Sequence, residues 1–479
     1  MGGIHADAVN MVEDPVNYFG GSLTRMHSMP WREVEVCQRD ALQWRFDTLR
    51  DRVPILRHTA ERQGIDRIDD LESVIPLLFD HTVFKSYPTS LIDNKRFDQL
   101  TRWLQKLTTH DLSDVDTSGC VGLDDWFDVL DRDTPLCIAH SSGTTGTLSL
   151  LPWDKQEWDT LGALHSALIL QRFGQDEDCR THDGIHVVYP FYRSGALGHL
   201  RNNDQVVKHI SRGEQRFHAA YPGRLSSDVM YLAGRLRAAQ ASGRLDALRI
   251  DPSLLERKEA FDAQTALAGE RIAAFFDGVL NELTGQRILI LSTWNLIHKM
   301  AKDGLQRGMR NQFSEDSIVI SGGGAKGMTP PQGWKDDVMA FVGNDRVRGG
   351  YSMSEVALAA LGCEYDHHHV NPWIVPFVLD PASGAPLPRT GIQTGQAAFF
   401  DLLAQSHWGG FISGDQVTLS WAADCGCGRS SPYYFDTVCR LADQYAGDDD
   451  KITCAATAKA HGDALAYLNE LEGSTTAWS

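Results

Sequence analysis

The sequence has no apolar run long enough to cross a membrane. Its longest candidates, such as residues 288–291, have the length of a strand, whereas a membrane-spanning helix needs roughly 20 residues. The first residues contain no apolar signal core, and Ala6 stands where a myristoylation site would have Ser or Thr. We therefore expect a cytoplasmic protein without a membrane partner.

Cysteine and positive charge are both scarce. Nine cysteines in 479 residues are too few and too scattered for a disulfide scaffold, which indicates a reducing compartment. The 45 Lys and Arg residues against 63 Asp and Glu residues give a net charge of −18, which argues against nucleic acid as a partner. With 42% hydrophobic and 23% charged residues, the chain has the composition of a globular protein, and its length predicts at least two domains.

The chain changes character along its length. Residues 1–134 are predicted to be mainly helical, with amphipathic spacing at 37–50 and 97–107. In residues 135–370, β-like runs alternate with helical stretches, which predicts an α/β core with a largely parallel sheet. The β-like runs are 135–139, 184–189, 287–291, 317–320 and 346–351, and the helical stretches are 158–172, 226–242 and 254–283.

A smaller antiparallel β subdomain is predicted for residues 371–440. Apolar runs at 373–380, 396–403 and 416–421 are separated by Pro/Gly-rich turns, as in antiparallel sheets. The acidic stretch 447–450 is typical of a linker before a last helix around residues 455–471. We treat residues 441–479 as a separate, vestigial C-terminal segment.

A turn rich in glycine and small hydroxyl residues follows the first β-like run. Glycine permits unusual backbone angles, so that N–H groups and hydroxyls can converge on phosphate oxygens. The turn lacks the Gly-Lys-Ser/Thr ending of a Walker A loop, and taken alone it is equally compatible with a flexible surface turn. This turn, the hydroxyl-rich loop or predicted phosphate loop, consists of Ser141, Ser142, Gly143, Thr144, Thr145 and Gly146.

Three further motifs follow in order. The first motif, which begins at Gly322, also fits the G-x-G-x-x-G pattern of a dinucleotide-binding loop. That pattern must open a helix, and Pro330 and Pro331 would truncate such a helix. The second is also compatible with a strand that leads into a helix capped by Ser354. The motifs are Gly322, Gly323, Gly324, Ala325 and Lys326; then Tyr351, Ser352, Met353, Ser354 and Glu355; and then Ser413, Gly414 and Asp415.

In this order the four motifs resemble those of the adenylate-forming superfamily, which includes acyl-CoA and aryl-CoA ligases, luciferases and peptide-synthetase adenylation domains. The resemblance covers about residues 90–450. It implies that the Gly-rich loops hold ATP, that Tyr351 stacks on adenine and that Asp415 accepts hydrogen bonds from the ribose. It also implies that Glu355 binds Mg²⁺ on the triphosphate. Because both reactants are anions, Lys326 and Arg440 are the cations expected to assist catalysis.

An aromatic segment resembles the one that shapes the acyl site in relatives of phenylacetate-CoA ligase. It contains Tyr189, Phe191, Tyr192 and Arg193. The resemblance implies that the three rings form the walls of a substrate pocket and that Arg193 binds a carboxylate. The alternative is an aromatic edge of the core with a solvent-facing arginine.

A cysteine and histidine pattern predicts a metal site. Two thiolates separated by one glycine can bind a metal from a tight knuckle, and a Cys₃His set suits tetrahedral Zn²⁺ if the fold brings its distant halves together. Phenylacetate-CoA ligase-like proteins have a site near this point, which implies structural zinc; reduced free cysteines are the alternative. The expected ligands are Cys363, Cys425, Cys427 and His369, the last preferred to His367 and His368.

The chain departs from the family pattern in two respects. Leu148, Ser149 and Leu150 replace the usual Pro-Lys ending of the phosphate loop. From the resemblance we expect the family's mobile C-terminal domain, which carries a catalytic lysine, to be largely missing, with Lys451 and Lys459 as the candidate replacements for that lysine. In this respect the chain resembles the acyl-protein synthetases of bacterial luciferase systems.

We therefore expect an ATP- and Mg²⁺-dependent ligase that also holds a structural Zn²⁺. It would convert a small-molecule carboxylic acid into an acyl-adenylate and pyrophosphate, and transfer the acyl group to an amine, a protein or a carrier thiol. The alternatives are a phenylacetate-type CoA ligase and a non-catalytic nucleotide-binding relative. The assembly state, a homodimer included, stays open.

Overall fold

The computed structural model describes residues 6–141, 147–173, 182–241, 243, 268–322, 330–422 and 424–441. The described part of residues 6–134 is mainly helical, as predicted. Its α-helices are α1 (Ala6–Glu13), α2 (Pro15–Tyr18), α3 (Leu23–Ser28), α4 (Trp31–Leu49), α5 (Pro54–Gln63), α6 (Ser90–Asp93), α7 (Phe97–Gln105) and α8 (Leu123–Asp133). Two short 3₁₀ helices, Glu72–Leu77 and Val83–Lys85, flank strand β1 (Phe79–Asp80).

Helix α4 illustrates why these segments are helical. Its buried positions recur every three or four residues, which places them on one face of the helix. That face packs on the later part of the chain, where the Gln38 amide donates to the carbonyls of Pro372 and Ile374 at 2.8 and 2.9 Å. The N-terminal helices therefore share a core with the C-terminal sheet. The buried residues are Val34, Gln38, Ala41, Leu42, Arg45, Phe46 and Leu49.

A two-stranded hairpin follows α8. Strands β2 (Leu136–His140) and β3 (Leu150–Asp154) pair antiparallel and are joined by residues 141–149. The run at 135–139 is therefore a strand, but it lies outside the parallel sheet. Helix α9 (Lys155–Leu170) then begins at a capping box, in which Asp154 and Glu157 satisfy the first N–H groups.

The central sheet has the strand order β5-β4-β6-β7-β8-β9. Strands β4 to β8 run parallel, and only β9 is antiparallel to its neighbour, which confirms the predicted α/β core. The strands are β4 (His186–Gly195), β5 (Phe217–Leu225), β6 (Ile288–Thr293), β7 (Ile318–Gly322), β8 (Val347–Ser352) and β9 (Ala359–Leu361). The helices of this region are α10 (Gly198–Val206), α11 (Ser227–Ala241), α12 (Ala268–Ala274), α13 (Trp294–Gln306) and α14 (Trp334–Val342).

Residues 353–358 between β8 and β9 form an irregular turn, not a helix capped by Ser354, so that alternative for the Tyr351 motif is wrong. The carboxyl ends of β6, β7 and β8 lie at one edge of the sheet, where ligands bind in α/β folds.

The second large sheet is mainly antiparallel, as predicted for the β subdomain. Its main path is β10-β14-β13-β12-β11, and β15 also pairs with β13. The early strand β1 joins it in parallel, with Phe79 opposite Phe411. The strands are β10 (His368–His369), β11 (Ile374–Leu379), β12 (Ile392–Asp401), β13 (Gly410–Ser420), β14 (Tyr433–Tyr434) and β15 (Cys439–Arg440).

One hydrophobic cluster extends from Ala8 to Tyr434 and joins the N-terminal helices, the hairpin and the antiparallel sheet. Two smaller clusters flank the parallel sheet. The helix predicted around 455–471 lies outside the described residues. Within the described ranges, none of the helices is both long enough and apolar enough to span a membrane.

Candidate functional site

Three predicted site residues, two of them expected to bind the nucleotide and one to assist catalysis, meet where the two sheets adjoin. Tyr351, near the end of β8, donates its hydroxyl hydrogen to Asp415 Oδ2 at 3.0 Å. Arg440 on β15 lies opposite Asp415 in the strand pairing, and its Nε is 3.2 Å from Asp415 Oδ1. Burial and the Asp415 charge raise the pKa of Tyr351 well above its usual range. The Asp415 carboxylate thus accepts a hydrogen bond from the neutral Tyr351 hydroxyl and pairs with the Arg440 guanidinium.

Glu355 lies in the turn that follows Tyr351. Its side chain is partly buried, and this burial raises the pKa of the carboxyl group, while Arg440 and His81 oppose the shift. His81 follows β1, which pairs with β13. An ideal Cβ on Gly414 would lie 3.2 Å from Arg440 Nη1 and 3.9 Å from His81 Cε1. Sequence reasoning missed His81, because nothing in the local pattern predicts that β1 joins this sheet.

The predicted phosphate-binding loop is preceded by a well-anchored residue, His140. His140 Nδ1 is 2.7 Å from the Ser141 carbonyl, and His140 Nε2 is 3.0 Å from Ser227 Oγ. Ser141 in turn closes the base of the hairpin, since its Oγ accepts from the Ser149 N–H at 3.0 Å. Burial lowers the pKa of His140 to about 4, which keeps the ring neutral. The rest of the loop lies outside the described residues, namely Ser142, Gly143, Thr144, Thr145 and Gly146.

The base of this loop lies close to the Tyr351 motif. An ideal Cβ on Gly198 would lie 2.6 Å from Ser354 Oγ and 3.9 Å from the His140 carbonyl oxygen. Ser352 is exposed, and Met353 packs partly against the main core. Gly322 ends β7 at the same edge of the sheet. The other residues of that Gly-rich motif lie outside the described residues, so the structure does not test the dinucleotide-binding alternative. They are Gly323, Gly324, Ala325 and Lys326.

The aromatic segment lies on β4 and its neighbours. Tyr189 is buried and packs against Phe217, and its ring centroid is 5.7 Å from that of Phe217. Phe191 and Tyr192 are partly exposed, and the Tyr192 ring stacks on Tyr221 at 4.9 Å. The segment therefore combines one core residue with two rings that remain accessible.

The structure does not support a carboxylate-binding role for Arg193. Its guanidinium forms ion pairs with Asp204 at 2.9 Å and with Glu214 at 2.6 Å, and it lies over the Phe217 ring. The alternative of a solvent-facing arginine is not supported either, because only 16% of the side chain is exposed. Two acidic residues of the chain itself, Asp204 and Glu214, therefore neutralise the Arg193 charge.

The four predicted metal ligands converge. Their ligand atoms all lie within 4.8 Å of one another, although Cys363 and Cys425 are 62 residues apart in the sequence. Cys363 Sγ is 3.7 Å from Cys425 Sγ, and Cys427 Sγ is 3.2 Å from His369 Nε2. The fold therefore brings together the two halves of the predicted Cys₃His set, which are far apart in the sequence.

The surroundings of His369 suit a metal ligand. Its Nδ1 is 3.3 Å from the Ser431 carbonyl and 3.1 Å from Ser431 Oγ, which leaves Nε2 facing Cys427. Burial, followed by the charge of Arg429, lowers the pKa of His369 to about 3, so the ring is neutral as coordination requires. Three thiols and this imidazole are the donor set of a closed tetrahedral zinc site. The residues present therefore fit Zn²⁺.

The two histidines before His369 have other surroundings. His368 Nε2 is paired with Asp436 at 3.3 Å. His367 stacks on Tyr433 at 4.1 Å, and its Nδ1 lies 3.2 Å from Cys425 Sγ. His367 therefore borders the cluster from outside the four-residue set.

Comparison with solved structures identifies the fold. Against an open conformation of 2-hydroxyisobutyryl-CoA ligase in complex with 2-HIB-AMP and CoA, the TM-score is 0.52 at 14% identity, over 86% of this chain and 75% of that one. Against the postadenylation state of 2-hydroxyisobutyryl-CoA ligase in complex with 2-HIB-AMP, the TM-score is 0.51 at 15% identity, over 86% and 68%. The chain thus has the fold of an adenylate-forming CoA ligase. No family model and no curated protein matches the sequence.

Proposed function

We propose that the chain is an ATP-dependent ligase that adenylates a carboxylic acid. The observation that carries the proposal is the grouping of Tyr351, Glu355, Asp415 and Arg440 at the ligand-binding edge of the parallel sheet, beside the base of the hydroxyl-rich loop. The shared fold supports it, because the 2-hydroxyisobutyryl-CoA ligase structures contain an acyl-adenylate.

In the proposed reaction, a carboxylate oxygen of the acid attacks the α-phosphorus of ATP. An acyl-adenylate forms as the bond to the β,γ-diphosphate breaks, and pyrophosphate leaves with the electron pair of that bond. Two anions must approach each other, so the chain's contribution is positioning and charge neutralisation.

Each residue has a distinct proposed role. Asp415 accepts hydrogen bonds from the ribose hydroxyls, while the Tyr351 ring lies beside the base. Arg440 neutralises charge near the phosphates, and Glu355 would hold the Mg²⁺. When bound, that ion supplies Lewis-acid charge neutralisation to the triphosphate. Loop N–H groups at residues 141–146, together with Lys326, are proposed to contact the phosphates.

The proposed acceptor of the acyl group is CoA, because the solved ligase of the same fold was captured with CoA. The CoA thiolate would attack the acyl carbonyl, which releases AMP and forms a thioester. Phe191 and Tyr192 are the proposed walls of the acyl pocket. The Cys363, His369, Cys425 and Cys427 cluster would hold a structural Zn²⁺ that takes no part in either step.

The direct test is acid-dependent ATP–pyrophosphate exchange with a panel of aliphatic and aromatic carboxylic acids. At least one acid should give exchange in the wild type, and Glu355→Gln should abolish it. Glu315→Gln is the matched control, because Glu315 is exposed and precedes the opposite end of β7. If no acid supports exchange while ATP still binds, the chain is a non-catalytic nucleotide-binding relative.

The acyl acceptor is identified with the carboxylic acid that gives the fastest ATP–pyrophosphate exchange. Thioester formation with CoA supports the proposed acceptor. Adenylate formation without a thioester, but with transfer to an added amine or carrier thiol, would overturn it.

A further inference from the structure

The backbone around Glu355 belongs to no helix or strand. Residues 353–358 form the irregular turn between β8 and β9, which closes where Ser352 pairs with Ala359. No strand-to-strand hydrogen bonds hold the turn itself. The direction of the Glu355 carboxylate therefore depends on whatever fixes the peptide groups on either side of it.

Buried side chains from two distant parts of the chain fix those groups. On one side, Trp153 Nε1 donates to the Ser354 carbonyl at 3.1 Å. On the other, Asp401 Oδ2 accepts from the Ala357 N–H at 2.7 Å, and Trp373 Nε1 donates to the Ala357 carbonyl at 3.0 Å. Glu355 thus lies between two anchored peptide groups.

The anchors are themselves deeply buried. Trp153, Asp401 and Trp373 are at most 1% exposed, and each lies in the main hydrophobic core or beside it. Trp153 belongs to β3, the strand that leaves the phosphate loop, whereas Asp401 ends β12 in the antiparallel sheet. The turn is therefore anchored both to strand β3 of the hairpin and to the sheet that carries Asp415.

Asp401 is an unusual residue to find at such a position. A fully buried carboxyl group is costly to ionise, and burial raises the pKa of Asp401 to about 7. Its two oxygens bridge the turn to its own strand end, since Oδ1 accepts from the Leu403 N–H at 2.9 Å. A buried group of this kind is expected where a fixed backbone geometry is needed.

We propose that Trp153 and Asp401 are positioning residues that aim the Glu355 carboxylate at the Mg²⁺ of bound ATP. The inference rests on the proposed function, because it takes Glu355 as a metal ligand. Both residues act through the backbone of the turn and contact neither nucleotide nor metal. Their roles correspond to those of the outer-shell groups that orient metal ligands in other proteins.

The test compares Trp153→Phe and Asp401→Asn with Trp408→Phe. Trp408 is a matched control, because it is equally buried and its indole donates to a backbone carbonyl, that of Leu77, at 2.8 Å. Isothermal titration measures ATP affinity with Mg²⁺ and with EDTA. In Trp153→Phe and Asp401→Asn, the gain in affinity from Mg²⁺ should fall about tenfold, as for outer-shell substitutions, with metal-free affinity unchanged.

The outcomes separate the inference from the proposed function. If the Mg²⁺-dependent gain is unchanged in both variants, or if Trp408→Phe loses as much, the positioning role is wrong and the residues are structural. If the wild type shows no Mg²⁺-dependent gain, or Glu355→Gln keeps all of it, Glu355 is not the ligand and the inference fails with that assignment. Because binding is measured without turnover, the absence of exchange with any acid contradicts the proposed ligase activity alone.

Discussion

Tyr433 and Tyr434 are consecutive residues whose rings contact different sites. The Tyr433 ring stacks on His367 with 4.1 Å between centroids, beside the cysteine cluster. The Tyr434 ring meets Tyr351 edge-on at 5.4 Å, beside Asp415. Because side chains alternate along a strand, the two residues of β14 join the candidate metal centre to the candidate nucleotide site.

Loss of the proposed Zn²⁺ should therefore weaken nucleotide binding as well as stability. Cys425→Ser is expected to abolish stoichiometric zinc, lower the melting temperature and reduce ATP affinity, since β14 loses its support on one side. Elemental analysis, thermal melts and ATP titration measure the three effects. Cys37→Ser is the control, because Cys37 lies on α4 outside the cluster. If Cys425→Ser retains full ATP affinity without zinc, the two sites are independent.

Asp415→Asn should weaken ATP binding about tenfold, because a hydrogen bond to a charged group contributes about 1.5–3 kcal/mol. The substitution removes the charge that pairs with Arg440 and leaves one carbonyl oxygen for all remaining partners. Equilibrium titration with ATP measures the change. Asp380→Asn should leave the affinity unchanged, since the partly exposed Asp380 carboxylate accepts from Ala382 and Ser383 in its own turn. Equal affinity in Asp415→Asn and the wild type would remove Asp415 from the nucleotide site.

Arg193→Ala should affect stability and leave the carboxylic acid's KM unchanged. The substitution removes two ion pairs with exposed partners and one cation–π contact, which together contribute on the order of 1 kcal/mol. Urea unfolding measures the loss. A large rise in the acid's KM at unchanged stability would contradict the observed pairing and restore Arg193 as a substrate residue.

Acid should destabilise the fold through His140. The folded pKa of about 4 lies below the ordinary 6.5, so between these values the unfolded chain binds a proton that the folded chain excludes. Stability is thus complete above pH 6.5 and decreases as the pH falls towards 4. At pH 5 the His140 contribution is about 2 kcal/mol. His140→Gln should show a correspondingly smaller decrease in unfolding free energy between pH 7 and pH 5. A decrease equal to the wild type's would contradict the assignment.

The local sequence pattern predicted the helices and strands of this fold well. It predicted less well which strands pair with each other. The apolar run before Ser141 is a strand, yet nothing in that run distinguishes a parallel neighbour from the antiparallel β3. Similarly, residues 254–283 were predicted as a helix, and their described part contains α12 followed by a π-helical turn, Phe275–Leu280. Periodicity reports which residues face inward and does not report the register of the backbone hydrogen bonds.

The candidate site shows the same division. Tyr351 and Asp415 could be nominated as site residues from the sequence because each lies in a recognisable short pattern. The ion pairs of Arg193 and the anchoring role of Asp401 could not be found, because both depend on partners that only the tertiary fold brings near. Aromatic and charged residues in a suggestive order do not reveal which charges are already neutralised inside the protein.

The contacts between the first and last described segments have a consequence for synthesis on the ribosome. Ser430 donates to the His27 carbonyl across 403 residues, Gln38 reaches Pro372 across 334, and β1 finds its partner only in β13. At about 5–20 residues per second, the N-terminal helices wait on the order of 20–80 seconds for those partners. During that interval the parts of their apolar faces that pack on the C-terminal sheet stay uncovered, so the nascent chain is expected to need chaperones at this stage.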